Sequence, residues 1–542
     1  MENNMDVLPG QSSPSRRVRR IAAILTSACV AVSVLVALYM LVQRFSFLHN
    51  DLQYDELYSA VTASPLFSLS YVLREMLFKD VNLPLFNVLL WGWNRIFPYT
   101  FFSMHLFSAL LGVGAVVAAW GLAPKKWPWL KRCIFTTLMC SSFILVAYGS
   151  IIRAYSLFVL LTTVFTLMAL RFVNEMEEGR SPAGWKWLVF FIVGLAASYT
   201  HFFSAGVFFI TALGLFFYSL YYKIARAWVF FGTAVVFFAW LPWTWHVLLL
   251  QHGSSWWYST PLMKSTWDMM LFLVGSLPMQ YFLGIVFILA GVSLVSHYKK
   301  DIFKQAELVL PFMQIVLLAA VVLVISRWYN FWMDRYFLVL MPALYLLITA
   351  CIFHLATRPR HWPFLALWPI LLYSWFLFFF TFDYLHAKEY TGMRSTFNLL
   401  TNKYRVHEIM IDPSNMGYPE AAIPHMFAMY VPKGYDLKMV PLSLETAEHA
   451  LTEPRPYIVM PVCGTTHLVY TSLVTGVEED GIPIVFSTTC TYKGRAVAFK
   501  EGKGPMPLQK VLELDPSEAS DMPGNISVNW EIPEPVKSGH GF

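Results

Sequence analysis

The sequence carries two adjacent carboxylates, Asp55 and Glu56, a few residues after its first long apolar segment. A carboxylate at the edge of a membrane span costs free energy, so this pair is the first candidate for chemistry. Such a group can act as a general base, because it can take the proton of a hydroxyl that attacks a substrate. The alternative is structural, since acidic residues also stabilise the N-terminus of a helix.

Further polar residues at the ends of apolar segments extend this candidate site. Arginines suit a phosphate group, because a guanidinium can donate two parallel hydrogen bonds to its oxygens. The residues placed by this pattern on the predicted outer side are Asp80, Asn82, Arg153, Tyr155, His201, Lys264, Arg335 and Tyr336. We expect Arg153 and Arg335 to supply most of the positive charge, followed by Lys264 and His201.

Each of these residues also has a structural interpretation. An arginine at the end of a span can extend to the lipid headgroups, a histidine can pack within the bundle, and a lysine in a loop can be solvated. The shared position at one face of the membrane is what favours a binding site.

Asp55 and Asp80 offer a second kind of chemistry, because hard divalent cations prefer oxygen ligands. A divalent metal between them is therefore an open alternative. The sequence has no CxxC pair and no Cys/His spacing typical of zinc sites. Two of its six cysteines, Cys463 and Cys490, lie in a polar tail and could form a disulfide if that tail is extracytoplasmic.

The composition predicts that a membrane domain positions the candidate residues. The chain of 542 residues is 57% hydrophobic and 13% charged, whereas soluble domains carry about 25% charged residues. About eleven segments are long and apolar enough to cross a bilayer. They are 21–43, 104–123, 133–150, 154–173, 185–201, 203–222, 228–250, 276–297, 307–326, 337–356 and 363–382.

Lys and Arg are distributed unequally between alternate loops, as the positive-inside rule predicts. With a cytoplasmic N-terminus, the short outer loops carry only Arg153, Lys264, Arg327 and Arg335. An odd number of spans then places the C-terminal tail outside. The net charge of +6 is spread over loops, so it does not indicate nucleic-acid binding.

The predicted domains follow from these segments. They are a basic cytoplasmic N-terminus (1–20), a transmembrane domain (21–382) with a long first outer loop (44–103), a soluble α/β domain (383–512) and a flexible acidic tail (513–542). We read the run 21–43 as a retained span, because it is too long for a signal peptide.

Shorter elements are predicted within the first outer loop and the tail. The loop contains two amphipathic segments, 60–78 and 83–97, that are typical of helices at a membrane surface. In the tail we predict strands at 408–413, 457–460, 482–486 and 496–499, and helices at 394–400 and 446–451.

Five short motifs, in a fixed order along the membrane domain, carry a resemblance to a known family. They are Tyr54-Asp55-Glu56, Asp80-Val81-Asn82-Leu83-Pro84-Leu85-Phe86, Arg153-Ala154-Tyr155-Ser156-Leu157, Tyr199-Thr200-His201-Phe202-Phe203, and Asp334-Arg335-Tyr336-Phe337 with Met341-Pro342-Ala343-Leu344. The chain resembles the GT-C glycosyltransferases of the protein O-mannosyltransferase and aminoarabinose transferase superfamily (glycosyltransferase family 39-like). Where that family often has a basic residue or His before a Pro-Pro pair, this chain has Asn82-Leu83-Pro84.

The resemblance implies a GT-C fold and a sugar donor on a polyprenyl phosphate. It implies transfer to an acceptor hydroxyl at the outer membrane face, with Asp55 as the base and Glu56 orienting it or capping the helix. Phosphate is a weakly basic leaving group, so one carboxylate is enough, and direct displacement inverts the anomeric centre. We expect a bacterial inner membrane, and an acceptor that is a glycolipid, a cell-wall polymer or a protein.

Two other function classes remain open from the sequence. A transporter or flippase of a lipid-linked substrate would usually show internal repeats and charges near the bilayer midplane. The sequence shows no repeat, and its acidic groups cluster at one face, which favours an enzyme. A non-catalytic assembly protein whose tail binds cell-wall material is the third class.

Overall fold

The computed structural model describes most of the first 381 residues and short parts of the tail. The described residues are 16–50, 52, 54–80, 82–251, 269–326, 333–356, 362–381, 401–402, 408–412, 428–441, 458–461, 468–471, 475–477, 483–485, 489–492, 495–498 and 506–507. The chain forms two compact units. The first comprises 1–48, 81–86 and 105–386, and the second comprises 49–80, 87–104 and 387–542.

Helices make up almost all of the described part before residue 382. In chain order they are α1 (Arg16–Gln43), α2 (Tyr54–Thr62), α3 (Leu69–Tyr71), α4 (Leu85–Ile96), α5 (Phe101–Gly121), α6 (Trp129–Ser141), α7 (Phe143–Ala147), α8 (Tyr155–Glu177), α9 (Gly184–Ser198), α10 (Phe202–Tyr222), α11 (Arg226–Gln251), α12 (Leu277–Tyr298), α13 (Ala306–Ile325), α14 (Met341–Ala356) and α15 (Leu367–Thr381). A 3₁₀ segment, Asp334–Leu340, leads into α14.

Nine helices of the described part are long and apolar enough to cross a membrane. They are Arg20–Gln43, Phe101–Gly121, Tyr155–Glu177, Phe202–Tyr222, Arg226–Leu250, Leu277–Leu294, Ala306–Ile325, Asp334–Ala356 and Pro363–Phe380. Each coincides with a predicted span. The prediction of a polytopic α-helical membrane protein is therefore confirmed.

The other two predicted spans form shorter helices than expected. The segment 133–150 is divided at Ser142, which ends α6 and whose side chain accepts a hydrogen bond from Leu145 N (3.4 Å) at the start of α7. A serine side chain can replace the backbone bonds of a helix in this way, so an apolar run does not show the break. The segment 185–201 forms only the 15-residue helix α9.

The bundle of the first unit is arranged around α8 and α14. α14 packs against α6, α8, α12 and α13. Burial differs among the helices over the most apolar 18 residues of each. Of these residues, 78% are buried in α14 with its 3₁₀ lead-in, 11% in α1 and 17% in α11. α8 and α14 therefore form the core, and the apolar outer faces of α1 and α11 are suited to lipid.

A buried arginine joins α1 to the interruption between α6 and α7. Arg44 is 2% exposed, and its guanidinium donates to the carbonyls of Leu145 (3.0 Å), Met139 (3.0 Å) and Cys140 (3.4 Å). The last carbonyls of a helix lack partners within the helix and carry partial negative charge, so a cation is favourable there. Arg44 thus stabilises the break at Ser142.

Two glycines make room for this guanidinium. A Cβ atom at Gly149 would lie 2.6 Å from the Leu145 carbonyl oxygen and 3.2 Å from Arg44 Nη1. A Cβ atom at Gly112, on α5, would lie 3.0 Å from the same nitrogen. Side chains at these positions would displace Arg44 or the backbone that it binds.

The second unit contains the predicted surface helices. α4 is tied to the region after α2 by Asn94 Nδ2, which donates to Ala63 O (2.9 Å), and by Trp91 Nε1, which donates to Phe67 O (3.0 Å). The predicted helix 83–97 is confirmed as α4. The predicted helix 60–78 is interrupted at residues 63–68, where side-chain and backbone bonds replace the helix.

The described part of the tail contains nine short strands in three sheets. β1 (Glu408–Asp412) pairs in parallel with β2 (Lys438–Pro441) and β3 (Ile458–Pro461). β4 (Leu468–Thr471), β7 (Thr489–Tyr492) and β8 (Arg495–Ala498) form an antiparallel sheet, as do β5 (Thr475–Val477), β6 (Pro483–Val485) and β9 (Met506–Pro507). The four predicted strands are confirmed as β1, β3, β6 and β8.

Three predictions for the tail fall outside the described residues. They are the helices at 394–400 and 446–451 and the flexible segment 513–542. Cys463 also lies outside them, so its disulfide with Cys490, on β7, stays a prediction.

Replacing Arg44 by Met should lower the stability of the purified protein. Each carbonyl that loses its donor should cost about 1–3 kcal/mol. We expect a clearly lower midpoint of thermal unfolding in detergent, with Arg44→Lys intermediate because an ammonium cannot reach all three carbonyls at once. The matched control is Arg74→Met, at an exposed position of the second unit. Equal midpoints for Arg44→Met and Arg74→Met would show that the buried guanidinium does not stabilise the fold.

Candidate active site

The turn between α7 and α8 positions Arg153 and Tyr155 at one end of the bundle. Tyr155 is the first residue of α8 and is buried, and Arg153 is half-buried directly before it. Arg153 N donates to Ile151 O (2.7 Å), which closes a tight turn. The two residues predicted from the motif Arg153-Ala154-Tyr155 are thus held by backbone geometry.

Side chains from α5, from α8 and from Arg44, which directly follows α1, bind carbonyls of this turn and of the end of α7. His105, on α5, hydrogen-bonds Ser150 O through Nδ1 (2.8 Å), and Ser156 Oγ donates to Gly149 O (2.7 Å). Arg44 binds Leu145 O just before them. Because a carbonyl only accepts hydrogen bonds, Nδ1 of His105 carries the hydrogen.

A small cavity of about 10 Å³ lies beneath the turn, lined by Arg44, Gly112, Tyr148, Tyr155 and Ser156 among others. This volume holds roughly one water molecule.

His201 and Tyr336 lie beside this turn. His201 precedes α10, and its ring centroid is 4.5 Å from that of Tyr336 and 5.5 Å from that of Phe158. Phe158 in turn contacts Tyr155 (5.8 Å). A continuous set of rings therefore links α8, α10 and the 3₁₀ segment before α14.

Arg335 belongs to the same group. Its backbone N–H is bound by Asp334 Oδ1 (3.0 Å), and its Nε donates weakly to Met333 Sδ (3.0 Å). Both Arg153 and Arg335 act on His201 as neighbouring positive charges. The structure thus brings together Arg153, Tyr155, His201, Arg335 and Tyr336, all of which were predicted from the sequence.

His201 differs from the prediction in its charge. Its Nδ1 accepts a hydrogen bond from Phe203 N (3.2 Å), so Nδ1 carries no hydrogen. Burial, followed by the charges of Arg153 and Arg335, lowers the pKa of His201 to about 3. Both effects favour the neutral imidazole, whereas the sequence led us to expect that His201 adds positive charge.

Asn82 is placed near the same end of the first unit through the backbone. Leu85 N donates to Tyr199 O (3.1 Å), which joins the segment 81–86 to the turn before His201. Asn82 itself is half-buried. It carries no basic group, so it can offer a hydrogen bond but no charge to an anion.

The acidic candidates belong to the second unit. Glu56 lies in the first turn of α2 and is 1% exposed. Asp80 is half-buried at the end of the 3₁₀ segment Leu77–Lys79. Asp55 also lies in the first turn of α2, but its side chain is outside the described part, so its pairing with the arginines stays a prediction.

Lys264 and the metal also stay predictions. Lys264 lies outside the described residues, and so does the side chain of Asp55. Among the described residues, no group of three or more His, Cys, Asp or Glu side chains is placed to hold a metal ion.

Comparison with known proteins identifies the fold. No protein-family model matches the sequence, and no curated protein matches it. Among solved structures, the chain is similar to ArnT from Cupriavidus metallidurans in the apo state, with a TM-score of 0.52 and 12% identity over 79% of this chain and 92% of that chain. The chain has the GT-C fold. ArnT bound to undecaprenyl phosphate gives a TM-score of 0.48 at 12% identity, over 85% of this chain and 97% of that chain.

Sequence reasoning missed two residues that hold the turn carrying Arg153 and Tyr155. Arg44 fell at the start of the predicted outer loop 44–103, and its neighbours Gln43 and Phe45 give no clear sign that it is buried. His105 lies within an apolar span, where an ionisable side chain is by itself an indication of function.

Loss of the His105 hydrogen bond should loosen the turn that carries Arg153. We expect His105→Leu to increase amide hydrogen exchange across residues 148–156, since Ser150 O loses its donor. His105→Asn should keep exchange close to wild type, because its amide can donate from nearly the position of Nδ1. Equal protection in the Leu variant and wild type would show that this bond does not hold the turn.

Proposed function

We propose that this protein is an inverting glycosyltransferase that moves a sugar from a polyprenyl phosphate to an acceptor hydroxyl at the outer membrane face. The observation that carries the proposal is the group formed by Arg153, Arg335, His201 and Tyr336 at one end of a GT-C bundle. Undecaprenyl phosphate, which is bound in the second ArnT structure, belongs to the same class of lipid as the proposed carrier of the sugar.

The two arginines suit the phosphate of such a donor. A guanidinium binds phosphate through two parallel hydrogen bonds, and two positive charges match a phosphate whose charge grows as the sugar leaves. The tyrosines and phenylalanines around them provide apolar and aromatic surface of the kind that binds a sugar ring or an isoprenoid.

A lipid-linked donor suits a site at the end of a membrane-spanning bundle. A long isoprenoid chain leaves a bilayer only at a high cost in free energy, so the enzyme must reach the phosphate where the lipid headgroups lie. A site formed by the starts of α8, α10 and the 3₁₀ segment before α14 meets this requirement.

Asp55 is the proposed base. The acceptor oxygen forms a bond to the anomeric carbon while the bond from that carbon to the phosphate oxygen breaks. The electron pair of the broken bond stays on the phosphate, and the acceptor proton passes to Asp55. Since the phosphate leaves without protonation, no general acid is required, and the anomeric centre is inverted.

The alternative function as a transporter is disfavoured by the middle of the bundle. There Gln314 Nε2 donates to Thr166 Oγ1 (2.9 Å) and Thr211 Oγ1 (2.7 Å), which joins α13 to α8 and α10. This network is neutral. Transporters commonly place charged or ion-binding groups at that depth.

The Asp55→Asn variant should insert into membranes normally and lose transfer. The purified protein is incubated with a radiolabelled polyprenyl-phosphate sugar and candidate glycolipid, polymer or peptide acceptors. We expect a loss of at least about 10²-fold in kcat, the contribution of a general base. Normal turnover by Asp55→Asn would remove this residue from the mechanism.

Arg153→Gln and Arg335→Gln should each reduce transfer by roughly 10²- to 10³-fold, because each removes one group that stabilises the leaving phosphate. The control is Lys304→Gln, an exposed lysine paired with Asp301 near the end of α12. The idea of a phosphate site fails if all three variants transfer sugar at the rate of wild type.

Chelation tests the predicted metal separately. If Asp55 and Asp80 hold a divalent cation, exhaustive treatment with a chelator should abolish transfer, and adding back Mg²⁺ or Mn²⁺ should restore it. Unchanged transfer after chelation would assign both carboxylates to metal-free roles.

A further inference from the structure

His201 offers a single hydrogen-bond donor, its Nε2–H group, whereas each neighbouring arginine offers several N–H groups. Because Nδ1 accepts the backbone N–H of Phe203, the single hydrogen of the neutral ring lies on Nε2. Protonation of Nδ1 would bring two N–H groups against each other. The N-terminus of α10, which carries partial positive charge, opposes protonation as well.

The surrounding rings hold the imidazole in place. Phe158 lies 5.5 Å from it, Phe203 5.6 Å and Tyr336 4.5 Å, each measured between ring centroids. These residues come from α8, α10 and the 3₁₀ segment Asp334–Leu340. Rotation of the imidazole would break contacts with all three elements, so the direction of the Nε2–H bond is set by the fold.

We propose that His201 binds the phosphate of the donor as a neutral hydrogen-bond donor through Nε2–H, and that it keeps this proton throughout the reaction. This role rests on the proposed function and adds the chemical contribution of one residue. As the bond between sugar and phosphate breaks, the electron pair moves onto the phosphate oxygen and the acceptor proton goes to Asp55. The Nε2–H group stabilises the growing negative charge without transferring a proton.

A neutral donor is suited to this position for an electrostatic reason. Arg153 and Arg335 already act on the ring as positive charges. A third cation near them would be repelled by both in the unliganded protein. A neutral imidazole at a helix N-terminus provides a directed hydrogen bond without that repulsion.

Three substitutions of His201 separate the different roles. His201→Asn can still accept the Phe203 N–H but has no donor at the position of Nε2. His201→Gln can place an amide N–H near that position, and His201→Lys replaces the neutral donor by a cation. Transfer from a radiolabelled polyprenyl-phosphate sugar is measured as kcat/KM, alongside the thermal midpoint of each variant.

We expect a defined order of activities. His201→Gln should retain activity within roughly 10-fold of wild type, whereas His201→Asn and His201→Lys should lose about 10- to 100-fold, the value of one hydrogen bond to a charged group. His201→Asn should keep the thermal midpoint of wild type. The matched control is His297→Lys, at an exposed position near the end of α12, which should change nothing.

Two outcomes of the activity measurements would overturn the role of His201. Wild-type activity in His201→Asn would show that the residue only caps α10, and higher activity in His201→Lys than in His201→Gln would show that the site needs a charge.

The pH profile of transfer between about pH 6 and 8, on either side of the usual pKa of histidine, is a second readout. If the ring is neutral throughout, wild type and His201→Gln should have the same profile, and a transition near pH 6.5 found only in wild type would contradict this role. Failure of the wild-type protein to transfer sugar from any polyprenyl phosphate would contradict the proposed function instead.

Discussion

The interaction on which the site depends is that of a buried guanidinium with the ends of two helices. Arg44 binds carbonyls of Met139, Cys140 and Leu145 where the chain interrupts a transmembrane segment at Ser142. Exposed backbone carbonyls are costly in an apolar interior, so an interruption needs donors from elsewhere. Arg44 supplies them, and the turn with Arg153 follows the stabilised break.

Other side chains bind the backbone carbonyls that follow this break. The carbonyls of Leu145, Gly149 and Ser150 are bound by Arg44 after α1, by Ser156 on α8 and by His105 on α5, respectively. Irregular backbone inside a membrane bundle is tolerated only when its polar groups are satisfied. These bonds fix the backbone path of the turn before Arg153, and an arginine that binds a phosphate in one geometry needs such a fixed backbone.

The candidate site combines charged and neutral hydrogen-bond donors. Two guanidiniums and a neutral imidazole lie at one end of the bundle, and the imidazole owes its neutrality to the backbone N–H of Phe203, to burial and to the arginines. The middle of the bundle is held by a neutral amide network around Gln314. The positive charges of Arg153 and Arg335 therefore lie next to a neutral imidazole, while the contact of α13 with α8 and α10 uses neutral side chains.

The amino-acid sequence alone determined which segments are helical and apolar, because a span needs about 20 apolar residues and this demand is visible in composition. It also identified Arg153, Tyr155, His201, Arg335 and Tyr336, since polar residues at span ends stand out against an apolar background. It could not show the break at Ser142, the burial of Arg44 or the charge of His201. The burial of Arg44 and the stabilised break depend on hydrogen bonds between residues 95 to 101 positions apart. The charge of His201 depends on which ring nitrogen meets the N–H of Phe203 and on burial against Phe158 and Tyr336 from other elements. Only the tertiary structure brings such groups together, because long-range contacts leave no periodic pattern in the chain.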